Sequence, residues 1–362
     1  MKILLINFLD KRYGSTYRAR HIFKCLKELG HSVKYIESNS PGGNDGATSV
    51  YQADSNTGYI YATLVRSFYC LFSKYDVLYL QKFILPAVPC IIIGKLRNKK
   101  VIVDWDDLDS DFQRTAFRKN LTTKIEFNYP KKVDSITVHN EYLKKFALSM
   151  GAANVFSVNQ IVNTEIFDPS KYIQEEEKGK LGLKGKILAG FLCTLTHGGA
   201  GDLDLVAEAV KMARKRYSDL FFLVIGGGPL ENEFAKAFDE AGLKNYLITG
   251  LVLQDDVPKH LAACDFCLIY MRETAGNKMR MSFKVLEYLS MNKKVVGHVV
   301  GETKDKLEKY IVVSGAKAQD FSDKICSVIE KKEYLSNNNS RDYIIQNHSI
   351  EIMKKQLSEV LK

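Results

Sequence analysis

No run of about 18 apolar residues occurs in the chain, so no membrane-spanning helix is expected. The opening MKILLINFLD has a short apolar run that ends in charges and lacks a small-residue cleavage site. It reads as a buried first strand rather than a secretory leader. Cysteine is sparse and odd in number: seven, with one lone CxxC (Cys264 and Cys267), no second pair and no nearby histidine pair. That pattern leaves no zinc site and points to reduced thiols in a cytoplasmic setting. The seven histidines follow no motif, so neither a Ser/His/Asp nor a Cys/His arrangement emerges. Neither half carries a GxGxxG turn with a downstream ribose acid, which argues against a nicotinamide oxidoreductase. DNA- and RNA-binding motifs are missing, and nucleic acid is not an expected partner.

What is present is enough chain for two cores. The 362 residues exceed a typical single core, and 46% are hydrophobic. The net charge of +10 is uneven: residues 1–170 hold 23 Lys/Arg against 16 Asp/Glu, and the remainder 29 against 26. The first half is the basic half, and an anionic membrane surface is the partner its charge fits. The stretch Phe83–Gly94 (FILPAVPCIIIG) lies beside Lys82, Lys95, Arg97, Lys99 and Lys100. It reads first as core and second as an interfacial segment.

Short apolar runs alternate with amphipathic segments, the signature of parallel sheets with crossover helices. In the first half, strands are expected at Lys2–Asn7, His31–Glu37, Val77–Gln81, Lys100–Asp104, Ser135–His139 and Val155–Val158. Helices are expected at Thr16–Leu29, Ile60–Ser73 and Asn140–Met150, and residues 38–58 read as a long loop. A polar linker falls at 163–182. A second strand–helix series then runs through Lys186–Cys193, Asp202–Arg216, Leu220–Ile225, Leu230–Glu240, Tyr246–Thr249, Val257–Ala263, Phe266–Tyr270, Met281–Ser290 and Lys294–Val299. Ser340–Leu361 reads as a terminal helix. The expected fold is α/β: two tandem Rossmann-like, doubly wound parallel-sheet domains with an interdomain cleft. The expected domains are residues 1–165 and 166–340. Helix 341–362 follows, packing back toward the first domain.

The segment NKMRMSFKVLEYLSMNKKVVG is the most informative. A helical spacing puts Arg280, Lys284 and Glu287 on one face at i, i+4 and i+7. Cations hold phosphates, and a carboxylate accepts two hydroxyl hydrogen bonds from a ribose or sugar. As residue types alone these are an ordinary solvated face; their place in the second α/β half favours the ligand reading. Thr196–Asp202 (THGGAGD) follows a strand and opens a helix, so His197 and the amides near Gly198 and Gly199 form an anion-binding candidate, with a plain turn as the equal alternative. Gly226, Gly227 and Gly228 before Pro229 are either a nucleotide-binding turn or only a tight connection. Gly250 ends a strand before Leu251 and Val252, where backbone is positioned for a base edge. The acidic run Asp104, Asp106, Asp107, Asp109 and Asp111 offers oxygen ligands or a group acting on a sugar hydroxyl, with helix capping as the bland reading; one or two are expected to line a cleft and the rest to face water. Gly14 and Arg18 flank the first strand–helix turn, near a phosphate or simply on a basic surface.

Together the tandem layout, the GGGP turn, the TG-LV strand end, AACDFCLIYM and KVLEYLSMNKKVVG resemble GT-B glycosyltransferases, nearest to glycosyltransferase family 4. The resemblance is strongest from Lys186 to Val313. It implies transfer of a sugar from a nucleotide donor, which is a substrate and not a cofactor, with retention and without a metal. It places Glu287 on the donor ribose, Lys284 and Arg280 at the diphosphate, Gly14 beside the donor and Asp106 near the reacting sugar. Three departures mark a divergent branch. Met279 stands where the first of two paired glutamates would fall. THGGAGD replaces the Arg and Lys–Gly pair, with His197 taking part of that role. DWDD has Asp106 in place of a histidine.

The expected function is therefore a glycosyltransferase for cell-surface polysaccharide or glycolipid synthesis. The catalytic set is Asp106, Lys284 and Glu287, with Gly14, His197, Gly198, Gly199, Gly227, Val252 and Arg280 binding the nucleotide sugar. The acceptor is a glycan or lipid-linked sugar, and the expected location is cytoplasmic and peripheral to the membrane. A sugar-nucleotide epimerase on the same fold and a non-catalytic nucleotide-binding scaffold are the rivals.

Overall fold

A computed structural model describes residues 1–10, 14–39, 46–53, 55–113, 115–196, 202–336 and 339–362, with backbone alone at Gly14 and Ser15. The described strands form two all-parallel sheets. The chain divides into one unit of residues 1–161, 274–281 and 350–362, and a second of 162–273 and 282–349.

In unit 1 the strands are β1 (Lys2–Ile6), β2 (Ser32–Ser38), β3 (Ala47–Val50), β4 (Val77–Gln81), β5 (Lys100–Asp104), β6 (Ser135–Val138) and β7 (Val155–Ser157). Their order is β3-β2-β1-β4-β5-β6-β7. The first strand shows why KILLI needs both faces apolar. Ile3 and Leu5 pack with Ala19, Ile22 and Leu26 of the helix Gly14–Glu28 and with Met353 and Leu357 of the helix Ile350–Val360. Leu4 and Ile6 point the other way, to Ala62, Cys70 and Ile91 on the helices Asn56–Phe72 and Ala87–Leu96.

Unit 2 repeats the plan with β8 (Ile187–Leu192), β9 (Leu220–Ile225), β10 (Tyr246–Ile248), β11 (Phe266–Tyr270), β12 (Lys294–His298) and β13 (Ile311–Val313). The order is β10-β9-β8-β11-β12-β13. Its core joins Phe222 and Val224 of β9 to Val206 and Val210 of the helix Leu203–Arg214 and to Phe321 and Ile325 of Ala318–Glu330.

Several elements differ from expectation. The supposed loop 38–58 contains β3, which pairs in register with β2 (Tyr35 opposite Ala47). The expected linker holds a short helix, Gln174–Lys180, and the helices Ala116–Asn128, Gly301–Leu307 and Ala318–Glu330 were not anticipated. The terminal segment is two helices, Ser340–Asn347 and Ile350–Val360. The second is tied to unit 1 by Lys354 to Glu28 at 3.2 Å and by the Asn159 amide donating to Gln356 Oε1 at 2.8 Å. Among the described residues, no helix is long and apolar enough to cross a membrane.

Candidate functional site

In unit 2 the first strand, β8, lies between β9 and β11, so the connections leave in opposite directions at the β8/β11 edge. Such a switch point opens a crevice at the carboxyl ends of the strands. The residues that gather there come from three connections. Asp202 precedes the helix Leu203–Arg214, Arg272 follows β11, His298 ends β12, and Lys284 lies in the first turn of the helix Phe283–Ser290. Arg272 Nε donates to Asp202 Oδ1. Burial raises the Asp202 carboxyl above its usual range, against the opposing charges of Arg272, Lys284 and His298. The His298 Nδ1–H donates to the Met271 carbonyl at 2.7 Å, since a carbonyl only accepts.

The helix Phe283–Ser290 carries the two residues that matter most. Val285, Leu286 and Leu289 are fully buried and fix its roll. The Tyr288 hydroxyl accepts the Leu192 amide at 2.7 Å, which ties the helix to the end of β8. Lys284 Nζ stands 5.1 Å from the centre of the Phe191 ring. Glu287 is buried and accepts a hydrogen bond from the Gln254 side-chain amide. Burial pushes its carboxyl up to about 8, although Gln254 and Lys284 both favour the ionised form.

Arg280 corrects the sequence reading. The expected face required an unbroken helix from 280 to 287, but the short helix Ala275–Lys278 ends at Met279, and Ser282 is extended (φ −67°, ψ 114°) before helix resumes at Phe283. Arg280 therefore falls off the Lys284/Glu287 stripe. It belongs to unit 1, where Nε lies 3.3 Å from Asp107 Oδ1 and the guanidinium covers the Phe112 ring at 5.2 Å.

The glycine run after β9 is dictated by close backbone approach. Gly226 has φ 128°, and a Cβ there would lie 2.0 Å from the Cys193 carbonyl oxygen. A Cβ on Gly227 would lie 2.6 Å from the Leu251 nitrogen, and the Gly227 carbonyl accepts the Leu195 amide at 3.0 Å. The turn thus braces the connection after β8 from behind. The Thr249 hydroxyl accepts the Gly226 amide at 2.9 Å and holds the next connection, which carries half-buried Val252 and then Gln254. Val252 and Glu287 are brought into one neighbourhood through Gln254. His197, Gly198 and Gly199 lie outside the described residues.

Unit 1 has its own switch point between β1 and β4, and the helix Gly14–Glu28 begins there at Gly14. The acidic run after β5 is not a solvated set with one or two inward members; each carboxylate is engaged. Arg18 binds Asp104 through two bonds of 2.7 Å and also donates to the Val158 carbonyl at 2.9 Å, so this buried guanidinium is committed to the fold rather than to a phosphate. Lys82 is buried with Nζ 2.7 Å from Asp106, 3.0 Å from Asp109 and 3.6 Å from Asp107. Burial alone would lower the Lys82 pKa, but these three carboxylates outweigh it and hold the ammonium well above its ordinary range. The Lys82 backbone is left-handed (φ 72°), which is costly for a side-chain-bearing residue. Asp111 accepts the Gly276 amide at 2.8 Å.

Behind this run the His139 Nε2–H donates to the Asp106 carbonyl at 2.5 Å, and Nδ1 accepts from Asn140 Nδ2 at 3.0 Å. Burial lowers its pKa, so the ring is neutral in this tautomer. Asp109 is pushed up to about 8 by burial and by Asp106, Asp107 and Glu126, against the pull of Lys82. Glu126 is raised to about 7 by burial, with hydrogen bonds from Ser110 opposing.

Sequence reasoning missed Arg272, Gln254, His298 and Lys82 as site-forming residues, and took Asp202 as the end of the Thr196–Asp202 segment. Arg272, His298 and Lys82 stand at or just beyond a strand's carboxyl end, and that position was the available signal. Asp202 stands instead just before a helix.

Residues 187–331 match the family described as Glycosyl transferases group 1. No curated protein matches the chain by sequence. Sucrose-phosphate synthase from Thermosynechococcus elongatus superposes over 100% of this chain and 98% of its own, at TM-score 0.78 and 12% identity. Anabaena HepE, solved with UDP-glucose, superposes over 100% and 99% at TM-score 0.77 and 14% identity. The pneumococcal O-GlcNAc transferase GtfA, solved with UDP and GlcNAc, covers 99% and 98% at TM-score 0.72 and 10% identity. The two parallel sheets are thus those of the GT-B fold, and residues 187–331, most of them in unit 2, are similar to the group 1 glycosyl transferases.

Proposed function

We propose that the protein transfers a sugar from a nucleoside-diphosphate donor to a glycan or lipid-linked acceptor, in polysaccharide or glycolipid synthesis at the cytoplasmic face of a membrane. The observation that carries this reading is the pairing of Lys284 and buried Glu287 on one short helix at the β8/β11 switch point of unit 2. In this reading Lys284 and Arg272 neutralise the diphosphate as it leaves. Arg272 takes the place expected of Arg280, at the cost of its pairing with Asp202. Fixed positive charge where negative charge develops stabilises the transition state without reorganisation. Glu287 receives the ribose hydroxyls, and the backbone near Val252 faces the base. The helix start at Gly14 offers amides to an anion. Asp106, paired with Lys82 at 2.7 Å, is the sugar-contacting carboxylate. Retention and independence of a metal follow the family resemblance. HepE and GtfA were solved with uridine nucleotides, which supports a uridine donor as the first to test.

The test is a thermal-shift and calorimetric screen against nucleoside diphosphates and their sugars, starting with UDP and UDP-glucose. A ligand bound only by the folded state stabilises it by about 2.7 kcal/mol at a hundred times its Kd. A rise in melting temperature that is lost in Lys284→Ala supports the site. No shift with any nucleoside diphosphate overturns it.

A further inference from the structure

Unit 1 carries an apolar surface that the nucleotide site does not use. On the helix Asn56–Phe72, Ala62, Arg66 and Cys70 are buried, and Val65 and Tyr69 are packed against the core. Six large apolar side chains on the same helix face outward instead: Ile60, Tyr61, Leu64, Phe68, Leu71 and Phe72. At about 100° per residue these six fall within one arc of roughly a third of the helix circumference. The buried set occupies the opposite arc. Leu64 is 64% exposed, Phe68 60% and Phe72 64%. The Phe68 and Phe72 rings lie 4.4 Å apart, so they form one continuous plate. The neighbouring helix Ala87–Leu96 packs alongside and adds Ile92 and Leu96, the latter 78% exposed. Surface helices ordinarily turn a polar face to water, and contiguous exposed apolar patches mark an interaction site.

Charge identifies the occupant. Residues 55–103, which contain both helices, hold seven Lys/Arg; Arg66 and Lys82 are buried, which leaves Lys74, Lys95, Arg97, Lys99 and Lys100 outside the core against one acid, Asp76. Lys74 follows the first helix directly and is exposed, and Lys99 follows the second. An apolar helix face rimmed by cations is the arrangement that lies in the headgroup layer of an anionic bilayer. We propose that the outward faces of the helices Asn56–Phe72 and Ala87–Leu96 dock unit 1 on an anionic lipid surface, with Leu64, Phe68, Phe72 and Leu96 entering the acyl boundary and Lys74 and Lys99 meeting the headgroups. Within the Phe83–Gly94 stretch Leu85 and Ile92 are exposed, whereas Phe83, Ala87, Cys90 and Ile91 are core.

This deepens the proposed function by naming the surface on which a lipid-linked acceptor would be met, and it is measured without nucleotide so that it stands or falls separately. The full chain is floated with phosphatidylcholine vesicles, with and without phosphatidylglycerol. Binding to the anionic vesicles that weakens with salt is expected. The triple variant Leu64→Ser, Phe68→Ser, Phe72→Ser is expected to raise the vesicle Kd at least tenfold, about 1.4 kcal/mol. Its urea midpoint should match wild type, because the altered side chains are on the surface. Lys74→Glu with Lys99→Glu is expected to abolish the preference for phosphatidylglycerol. Equal flotation of wild type and triple variant overturns the proposal, as does no flotation of wild type. So does a wild-type dimer that the triple variant converts to monomer, which would make this face a contact between two copies.

Discussion

Lys284 holds its ammonium 5.1 Å from the centre of the Phe191 ring, at the end of the strand that begins unit 2's sheet. The ring supports the cation at the carboxyl end of that strand. Replacing Lys284 by Ala removes a charge that acts on the leaving diphosphate. Turnover should fall by roughly a hundredfold, the usual scale for one well-placed electrostatic donor. The urea midpoint should stay near that of wild type. Steady-state release of nucleoside diphosphate, measured beside the unfolding curve, decides it; unchanged turnover would remove Lys284 from the mechanism.

Glu287 predicts a pH dependence with a definite sign. Its folded pKa of about 8 lies above the ordinary carboxylate value, so the native state keeps a proton that the unfolded chain releases. Stability from this position is complete below the unfolded pKa and is lost as pH rises toward 8. The slope is about 1.4 kcal/mol per pH unit for one proton. Glu287→Gln mimics the protonated acid and abolishes that slope. Between pH 5.5 and 7.5 the variant should gain about 2 kcal/mol relative to wild type, while nucleoside-diphosphate affinity drops about tenfold. A difference in urea stability that does not change with pH would show that Glu287 is ionised in the free protein.

Much of the fold is legible because parallel strands buried on both faces are continuous apolar runs, as in KILLI of β1 and LFFLVI of β9. Ala47–Val50 is not legible, because a four-residue edge strand flanked by Gly, Asn and Ser has no such run. The lysine at 284 and the glutamate at 287 stay together because their spacing lies within one helix. Arg280 does not join them, because the break at Ser282 carries neither glycine nor proline to announce it. Arg272 meets Asp202 through the adjacency of β11 and β8, strands far apart in sequence. Lys82 meets Asp106 and Asp109 for the same kind of reason, since β4 and β5 are neighbours in the sheet.

Gly226 separates steric approach from backbone conformation. Its φ of 128° is unfavourable for other residues, and a Cβ would also strike the Cys193 carbonyl. Gly242 has φ 76° with nothing within 4 Å of a built Cβ. Gly242→Ala should therefore cost only the left-handed penalty, about 1 kcal/mol. Gly226→Ala should cost more than about 3 kcal/mol and should also weaken nucleoside-diphosphate binding, because the displaced carbonyl belongs to the connection after β8. Urea unfolding of the two variants side by side tests the ranking; equal losses would mean that the turn accommodates a methyl group.

Lys82 gives the sharpest stability prediction. Its side chain is 3% exposed, and its ammonium faces Asp106, Asp107 and Asp109 together. Lys82→Met keeps the apolar stem and removes the charge, leaving three carboxylates crowded in a site with little water. Breaking a buried ion pair from one side costs about 3–5 kcal/mol. The loss should also depend on pH. Without the ammonium, burial and mutual repulsion raise the carboxylate pKa values above those of the unfolded chain, so the native state takes up protons on acidification. The deficit against wild type should be largest at pH 8 and should shrink as pH falls toward 5. Urea unfolding of both proteins across that range measures it. A deficit that stays constant or grows on acidification would show that the three carboxylates remain ionised without Lys82, and that water reaches them.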